Sequence, residues 1–179
     1  MNDVATISSR VAYENRWTRV REDRIRLRDG SESIYGVVEK ANFVIVAPIC
    51  KGMVHLVQQY RYPIGSRQWE FPQGSWEGCP DATPSDVARG ELLEEAGIIA
   101  GNIVEAGQLY PLYGLTTHSY RVFLATDLTV GKPEREHSEQ DMTSRAFSLA
   151  EFERMIVHGE IRDAGTVASF GLLRLKGLI

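Results

Sequence analysis

Cysteine is scarce in this chain of 179 residues, which contains only Cys50 and Cys79. Their spacing matches neither a cysteine metal site nor a redox pair, and both kinds of site are therefore excluded. Cys50 ends an apolar segment, where a buried free thiol is the expected state. This cysteine usage fits a reducing cytoplasm.

Long hydrophobic runs and an excess of positive charge are also missing. No run reaches the roughly 18 apolar residues of a membrane span, and no positive region followed by a long apolar core opens the sequence. The net charge of −4 gives no basic surface for bulk nucleic acid. We therefore expect a soluble, cytoplasmic protein with neither a membrane nor bulk nucleic acid as partner. The 43% hydrophobic content is enough for the core of one domain with a small appendage.

Hydrophobic patterning predicts an α/β fold. Residues 13–40 have the pattern of a small antiparallel sheet, with strands at 17–20, 24–27 and 33–39 and a turn at Asp29-Gly30. Fuller apolar strands follow, and burial on both of their faces predicts a central sheet covered by helices. The expected elements are strands at 43–48, 54–60, 103–110 and 119–126, helices at 85–96, 149–158 and 164–175, and a short strand before the second helix.

Three carboxylates carry the clearest chemical signal. Glu91, Glu94 and Glu95 fall on one stripe of the helix predicted at 85–96, where they repel one another unless a cation lies between them. Oxygen-only ligands at this density suit Mg²⁺ or Mn²⁺, which usually bind through a few carboxylates and the phosphates of a substrate. The alternative is an ordinary solvated acidic face.

The context of the helix favours the metal site over a solvated face. A loop rich in glycine and proline leads into the helix, Thr83 is a suitable N-terminal cap, and Pro84 is tolerated in the first turn. Gly97 follows where a left-handed C-cap is expected.

This stretch resembles the Nudix box. The box consists of a glycine, five residues, a glutamate, seven residues and then R-E-U-x-E-E-x-G-U, where U is an aliphatic residue. Gly74 matches the opening glycine, and the second half of the box is matched by Glu91, Leu92, Glu94, Glu95, Gly97 and Ile98. The resemblance implies that Glu91 and Glu95 hold the metal, with Glu94 and the Gly74 carbonyl as further ligands.

The first half of the box departs from the pattern. The loop carries two extra residues, the box arginine is Gly90, and the first box glutamate aligns with Ala82. In the family those two charges are thought to brace the loop against the helix. The loss of both residues therefore affects the bracing of the loop and not the metal ligands. Because the arginine and the glutamate are both absent, neither is left as an unpaired buried charge.

Flanking segments resemble ADP-ribose and nucleoside-diphosphate-sugar pyrophosphatases. The phrases that carry the likeness are Gln59-Tyr60-Arg61-Tyr62-Pro63, Trp69-Glu70-Phe71-Pro72 and Gly159-Glu160-Ile161-x-Asp163. The resemblance implies an α/β/α sandwich with a mixed central sheet over residues 41–179 and an antiparallel β subdomain over residues 1–40 that forms a homodimer. It also implies metal-dependent cleavage of a nucleotide sugar to a nucleoside monophosphate and a sugar phosphate.

The same resemblance implies roles for further residues. Arg61 would contact a phosphate or a ribose, because its planar guanidinium stays charged and forks onto phosphate oxygens. Glu70 would accept a hydrogen bond from a sugar hydroxyl, although pairing with Arg61 is an alternative. Trp17 would stack on a base across the dimer, although packing in the core or at the dimer interface is the favoured alternative for it. A general base is expected from the polar stretch 134–141, with Glu139 first, Glu136 second and Glu94 also a candidate for catalysis.

Three other functions remain open at this stage. The substrate could be a dinucleoside polyphosphate or an oxidised nucleotide, but such an enzyme has no need of the N-terminal β piece. A non-catalytic nucleotide-sugar sensor would explain Gly90 and Ala82, yet it would not need three glutamates. A purely structural protein leaves the acidic stripe unexplained. In the segment 109–114, Pro111 favours ADP-ribose, whereas His118 stands where some members have a carboxylate.

Overall fold

The structure, a computed structural model, describes residues 4–75, 81–135 and 141–179. Two compact units are present. The first contains residues up to Asn42 together with Tyr110–Ser119, and the second contains Phe43–Leu109 and Tyr120–Ile179. Among the helices of the described residues, none is long and apolar enough to cross a membrane.

The first unit is built on an antiparallel sheet of three strands, in the order β1-β2-β3. The strands are β1 (Ala5–Glu14), β2 (Arg19–Arg26) and β3 (Glu32–Glu39). The turn at Asp29-Gly30 is confirmed, since Gly30 has φ +84° and the chain reverses there from β2 into β3.

Two strand predictions in the first unit were wrong. Segments 17–20 and 24–27 do not form separate strands, because both overlap the single strand β2. The charged residues between them are compatible with a strand, since Arg21 pairs with Asp23 and with Glu39 of β3. Strand β1 was not predicted: Ile7, Val11 and Tyr13 follow a period of two, but Ser9 interrupts it and every residue of the strand is exposed.

The second unit contains a mixed sheet of seven strands. Its main path runs β10-β5-β4-β9-β8, with β6 paired to β5 and β7 paired to β4. Strand β4 is parallel to β9, and the other pairs are antiparallel. The strands are β4 (Phe43–Cys50), β5 (Met53–Arg61), β6 (Ser66–Glu70), β7 (Gln73–Gly74), β8 (Ile98–Leu109), β9 (Tyr120–Val130) and β10 (Thr143–Ser148).

Helices cover both faces of this sheet. They are α1 (Pro84–Ala96), α2 (Leu149–Val157) and α3 (Ala164–Leu175). Alternate residues of β4 face opposite sides: Val44 and Val46 pack in the cluster of α1, whereas Ile45 and Ala47 pack in the cluster of α2 and α3. The predicted α/β fold with a mixed sheet covered by helices is therefore confirmed.

A split between β4 and β5 creates the setting of the site. The two strands pair only at their hairpin, where Ile49 faces Val54 and Cys50 faces Met53. Further along, β6 pairs with β5 and β7 pairs with β4. The connection from β6 through β7 therefore fills the opening and delivers residues 70–74 to the region between two central strands.

Candidate active site

Helix α1 begins and ends where the sequence predicts. Thr83 caps it, and Thr83 and Asp86 form a reciprocal capping box. Pro84 occupies the first turn, and Gly97 ends the helix in the left-handed conformation, with φ 68°. These signals fix the register of the helix, and hence the direction in which its glutamates point.

The three glutamates differ in burial. Glu91 and Glu95 are buried, with relative exposures of 6% and 1%, while Glu94 is half-buried. The Gln73 backbone N–H donates a 3.0 Å hydrogen bond to Oε2 of Glu95. Two carboxylates of the predicted metal set therefore lie in the protein interior and are not part of a solvated helix face.

Gly74 lies directly against the carboxylate of Glu91. A Cβ atom added at Gly74 would be 2.6 Å from Cδ of Glu91 and closer still to both of its oxygens. Only glycine leaves room for that carboxylate at this distance. Gly74 and Glu91 are separated in the sequence, but the backbone of Gly74 and the carboxylate oxygens of Glu91 thus lie next to each other in the fold.

Glu70 is the centre of a buried polar network. Arg61 donates from Nη2 to Oε1 at 2.6 Å and from Nε to Oε2 at 3.1 Å, and Gln59 Nε2 donates to Oε1 at 2.8 Å. Burial raises the pKa of Glu70 above its ordinary value, and the charge of Arg61 opposes that rise. The Arg61–Glu70 pairing, which was the alternative to direct substrate contact, is therefore present in the structure.

The first turn of α3 holds the end of β6 in place. Asp163 caps α3 by accepting hydrogen bonds of 2.7 Å from the backbone N–H and the hydroxyl of Thr166. Thr166 Oγ1 in turn accepts from the Phe71 N–H at 2.9 Å. Thr166 is fully buried, so this chain of hydrogen bonds has no competition from water. The backbone next to Glu70 is rigidly supported.

A cleft of about 450 Å³ adjoins this network. Its lining includes two arginines, two acids and two glutamines: Arg61, Arg162, Glu70, Asp163, Gln68 and Gln73. Gln73 connects the cleft to the helix, since it is one of the residues that line the cleft and its N–H donates to Glu95. Gln73 therefore lies between the cleft and the buried Glu95. The volume is in the range of ordinary small-molecule sites.

The segment Gly131 to Arg135 is docked on the end of α1. The N–H groups of Gly131 and Glu134 donate to the carbonyls of Gly97 and Glu94 at 2.7 and 3.1 Å, and Arg135 Nε donates to the Glu95 carbonyl at 3.2 Å. These bonds satisfy carbonyls that the helix end leaves without intrahelical partners. They also hold the start of the polar stretch 134–141 beside the helix that bears the glutamates.

The remaining predicted residues lie elsewhere or outside the described chain. Trp17 belongs to the first unit, is 57% exposed, and is covered by the guanidinium of Arg16 at 3.8 Å from the ring centroid. Glu136 and Glu139 lie outside the described residues.

Sequence reasoning missed two residues at the cleft. Gln73 carried a weak signal, its place beside the opening glycine of the motif. Arg162 was the unassigned x of the phrase Gly159-Glu160-Ile161-x-Asp163.

Taken together, the arrangement suits an anionic phosphate ligand. It offers buried carboxylate oxygens for a divalent cation, arginines for phosphate oxygens, and a cleft that excludes part of the solvent. Such a set can neutralise a phosphate group and position it for attack by water.

Comparison with known proteins gives the same picture. A family model described as the nucleoside diphosphate sugar hydrolase N-terminal domain matches residues 5–38, and one described as the NUDIX domain matches residues 40–167. The chain is 36% identical over 169 residues to an ADP-ribose pyrophosphatase of Mycobacterium tuberculosis, covering 93% of this chain and 81% of that protein.

Two further relatives extend the comparison. The chain is 25% identical over 173 residues to an ADP-ribose pyrophosphatase of Bacillus subtilis, covering 96% of this chain and 92% of that protein. A solved structure described as an ADP compounds hydrolase shares the fold, with a TM-score of 0.86 and 18% identity over 99% of this chain and 97% of that one.

Proposed function

The chain belongs to the NUDIX family, and from this premise we infer that it is a hydrolase of pyrophosphate bonds that acts on ADP-ribose or another nucleoside diphosphate sugar. The observation that carries the assignment to this site is the position of Gln73. Gln73 lines the cleft and its N–H donates to Glu95, which supports a substrate that reaches from the cleft toward the glutamates of α1.

The reaction breaks one P–O bond of the pyrophosphate. A water oxygen forms a new bond to one phosphorus, the bridging oxygen leaves with the other phosphate, and the water gives up a proton to a base. The products are a nucleoside monophosphate and a sugar phosphate. Because both products are anions, charge neutralisation and a positioned water are the main tasks of the site.

NUDIX hydrolases generally need a divalent metal, and the donors of this site fit one. The donors are all oxygens, Glu91 and Glu95 are buried side by side, and the absence of a Cβ at Gly74 opens the space beside Glu91. We propose Mg²⁺ or Mn²⁺, held by Glu91 and Glu95 with Glu94 and the Gly74 carbonyl. Bound there, the metal would neutralise phosphoryl oxygens and activate water.

The site is not a complete metal cage on its own. Within the described residues, no three His, Cys, Asp or Glu side chains are arranged to enclose an ion. Magnesium does not require such a cage, because it keeps several waters and takes substrate phosphates as ligands. Metal and substrate are therefore expected to bind together.

For the general base we propose Glu139, then Glu136, with Glu94 as the candidate on the helix itself. Support comes from the docked segment Gly131 to Arg135, which leads into that stretch and is hydrogen-bonded to α1. A base must come within hydrogen-bond reach of the attacking water, and this segment starts beside the glutamates.

Substrate contacts and assembly complete the proposal. Arg61 would contact the phosphate or ribose with the part of its guanidinium that is not bonded to Glu70, Glu70 would accept a hydrogen bond from a sugar hydroxyl, and Trp17 of a second copy would stack on the base. We propose residues 1–40 as a dimerisation subdomain and 41–179 as the catalytic domain of a cytoplasmic homodimer. The exposed apolar side chains of the N-terminal sheet support dimerisation, Ile7, Val11, Tyr13, Ile34 and Tyr35 among them.

The test is product analysis with a panel of nucleotides in Mg²⁺. The panel contains ADP-ribose, several other nucleotide sugars, dinucleoside polyphosphates and nucleoside triphosphates. We expect release of a nucleoside monophosphate from a sugar nucleotide, abolished by EDTA. Faster turnover of a dinucleoside polyphosphate would replace the substrate assignment, and nucleotide binding without any turnover would indicate a sensor with a retired site.

A further inference from the structure

We propose that Arg162 binds the pyrophosphate group of the substrate and is the main arginine for that group in the cleft. The proposal rests on the proposed function, since it names a contact within the same site. It assigns Arg61, the arginine that the sequence favoured, to the support of Glu70.

Arg162 is free to bind a ligand. Among the arginines of the described chain, its guanidinium is the one that makes no hydrogen bond, ion pair or ring contact with another described residue. It is exposed and lines the cleft. Acidic side chains outnumber basic ones in this chain, 24 to 20. An arginine that lines a cleft without an acidic partner among the described residues therefore indicates a site for an anionic ligand.

Arg61 is much less available. Two arms of its guanidinium, Nε and Nη2, are bonded to the buried Glu70. A two-pronged contact with a phosphate would require Arg61 to leave Glu70, and a buried carboxylate without its partner is costly. Arg61 therefore has only one guanidinium nitrogen, Nη1, that is not bonded to Glu70, whereas Arg162 can donate to a phosphate from two guanidinium nitrogens at once.

The hydrogen bonds of the cleft also favour an anion at Arg162. The formal charges of its two arginines and two acids cancel, but their hydrogen-bonding groups are not equally engaged. Glu70 accepts from Arg61, and Asp163 accepts from the backbone N–H and the hydroxyl of Thr166. The guanidinium of Arg162 makes no such bond to another described residue. A guanidinium stays ionised at any physiological pH and matches two phosphate oxygens at once.

The backbone around Arg162 is fixed by both of its neighbours. Ile161 is buried in the core and its N–H donates to the Met155 carbonyl at 3.2 Å. Asp163 is the N-cap of α3. Arg162 is therefore presented from a rigid connection between two helices, which reduces the entropy lost when a ligand binds.

The experiment measures binding without chemistry. Calorimetry with the non-hydrolysable α,β-methylene analogue of ADP-ribose, in Mg²⁺, compares the wild-type chain with Arg162→Ala, Arg162→Lys and the control Arg154→Ala. Arg154 is exposed on α2, pairs with Glu160 and does not line the cleft. Because Arg162 makes no hydrogen bond, ion pair or ring contact with another described residue, its variants should fold like the wild type.

We expect Arg162→Ala to raise the Kd about 10- to 100-fold, as for the loss of a hydrogen-bonded charge. Arg162→Lys should lie between, since it keeps the charge but not the fork, and Arg154→Ala should match the wild type. An unchanged Kd in Arg162→Ala, with the wild type still hydrolysing ADP-ribose, overturns this assignment alone. A wild type that neither binds nor hydrolyses any sugar nucleotide overturns the proposed function and this contact with it.

Discussion

At the scale of single residues, the site depends on a close contact between a glycine and a carboxylate. Gly74 of β7 lies against Glu91 of α1, and a side chain at position 74 would occupy the space of the Glu91 carboxylate. The glycine is therefore required for space, a more specific reason than flexibility.

Gly74→Ala should reduce the rate of nucleotide-sugar hydrolysis at least tenfold, because Glu91 would have to move from its position by the added methyl group. The matched control is Gly171→Ala in α3, where an added Cβ meets nothing within 4 Å and alanine favours the helix by about 0.5–1 kcal/mol. Steady-state kinetics over a range of Mg²⁺ concentrations measures the effect. Equal rates in the two variants would contradict the account of Gly74.

The sequence pointed to the three glutamates of the helix and to Arg61 and Glu70 of the cleft, but not to Arg162. Glu91, Glu94 and Glu95 were predictable because their spacing follows the helical period and caps fix the helix ends. Arg162 was not, because its importance arises from what surrounds it: Arg61 occupied by Glu70, and Asp163 occupied by Thr166. Such an absence of partners is a tertiary property, and no local pattern records it.

At the scale of elements, the C-terminal end of α1 is where the helix that bears the glutamates contacts the segment Gly131 to Arg135. Gly97 ends the helix and the segment Gly131 to Arg135 packs on it. A Cβ at Gly97 would lie 2.6 Å from the Pro133 nitrogen and 2.7 Å from the Lys132 carbonyl carbon. Helix α1 and this segment are thus held at a separation that only glycine permits.

Gly97→Ala should destabilise the chain more than Gly177→Ala. Both glycines have a left-handed backbone, with φ 68° and 65°, but an added Cβ at Gly177 meets nothing within 4 Å. The control measures the conformational cost, about 1–2 kcal/mol, and Gly97→Ala adds overpacking of about 1–3 kcal/mol. Urea unfolding compares them; equal losses would mean that the segment does not pack tightly on α1.

Helices were predicted closely and strands less so. Helix α3 has the predicted bounds, and α1 and α2 differ by one residue at one end. Caps such as Thr83 and Gly97 are local signals, which explains the agreement. Strand β1 and the short β7 depend on pairing with distant residues, and the exposed side chains of β1 show only an interrupted alternation, with Ser9 between Ile7 and Val11.

At the scale of the whole molecule, the N-terminal sheet has an exposed edge and exposed apolar side chains. Strand β1 is a ten-residue edge strand with every residue exposed. Long exposed edge strands are sites of pairing between chains unless they are covered. Ile34 on β3 is 65% exposed and adds apolar surface to the same sheet. Both features fit the proposed homodimer.

The wild type should sediment at twice its chain mass of 20.1 kDa, and Ile34→Lys should raise the dimer dissociation constant at least tenfold by placing a charge in the interface. Val157→Lys, at a site on α2 that is 80% exposed, is the control and should remain dimeric. Analytical ultracentrifugation over a range of concentrations decides. A wild type that sediments as a single chain throughout would contradict the dimer.

The most direct test of the central claim is the rate of nucleoside monophosphate release from ADP-ribose in Mg²⁺ by the wild type and by Glu95→Gln. Glutamine can still accept the Gln73 hydrogen bond, so the fold should persist, while loss of the charge should lower kcat a hundredfold or more, roughly. The control Glu105→Gln changes an exposed acid that pairs with Arg121 and should leave the rate unchanged. Wild-type turnover in folded Glu95→Gln would contradict the account.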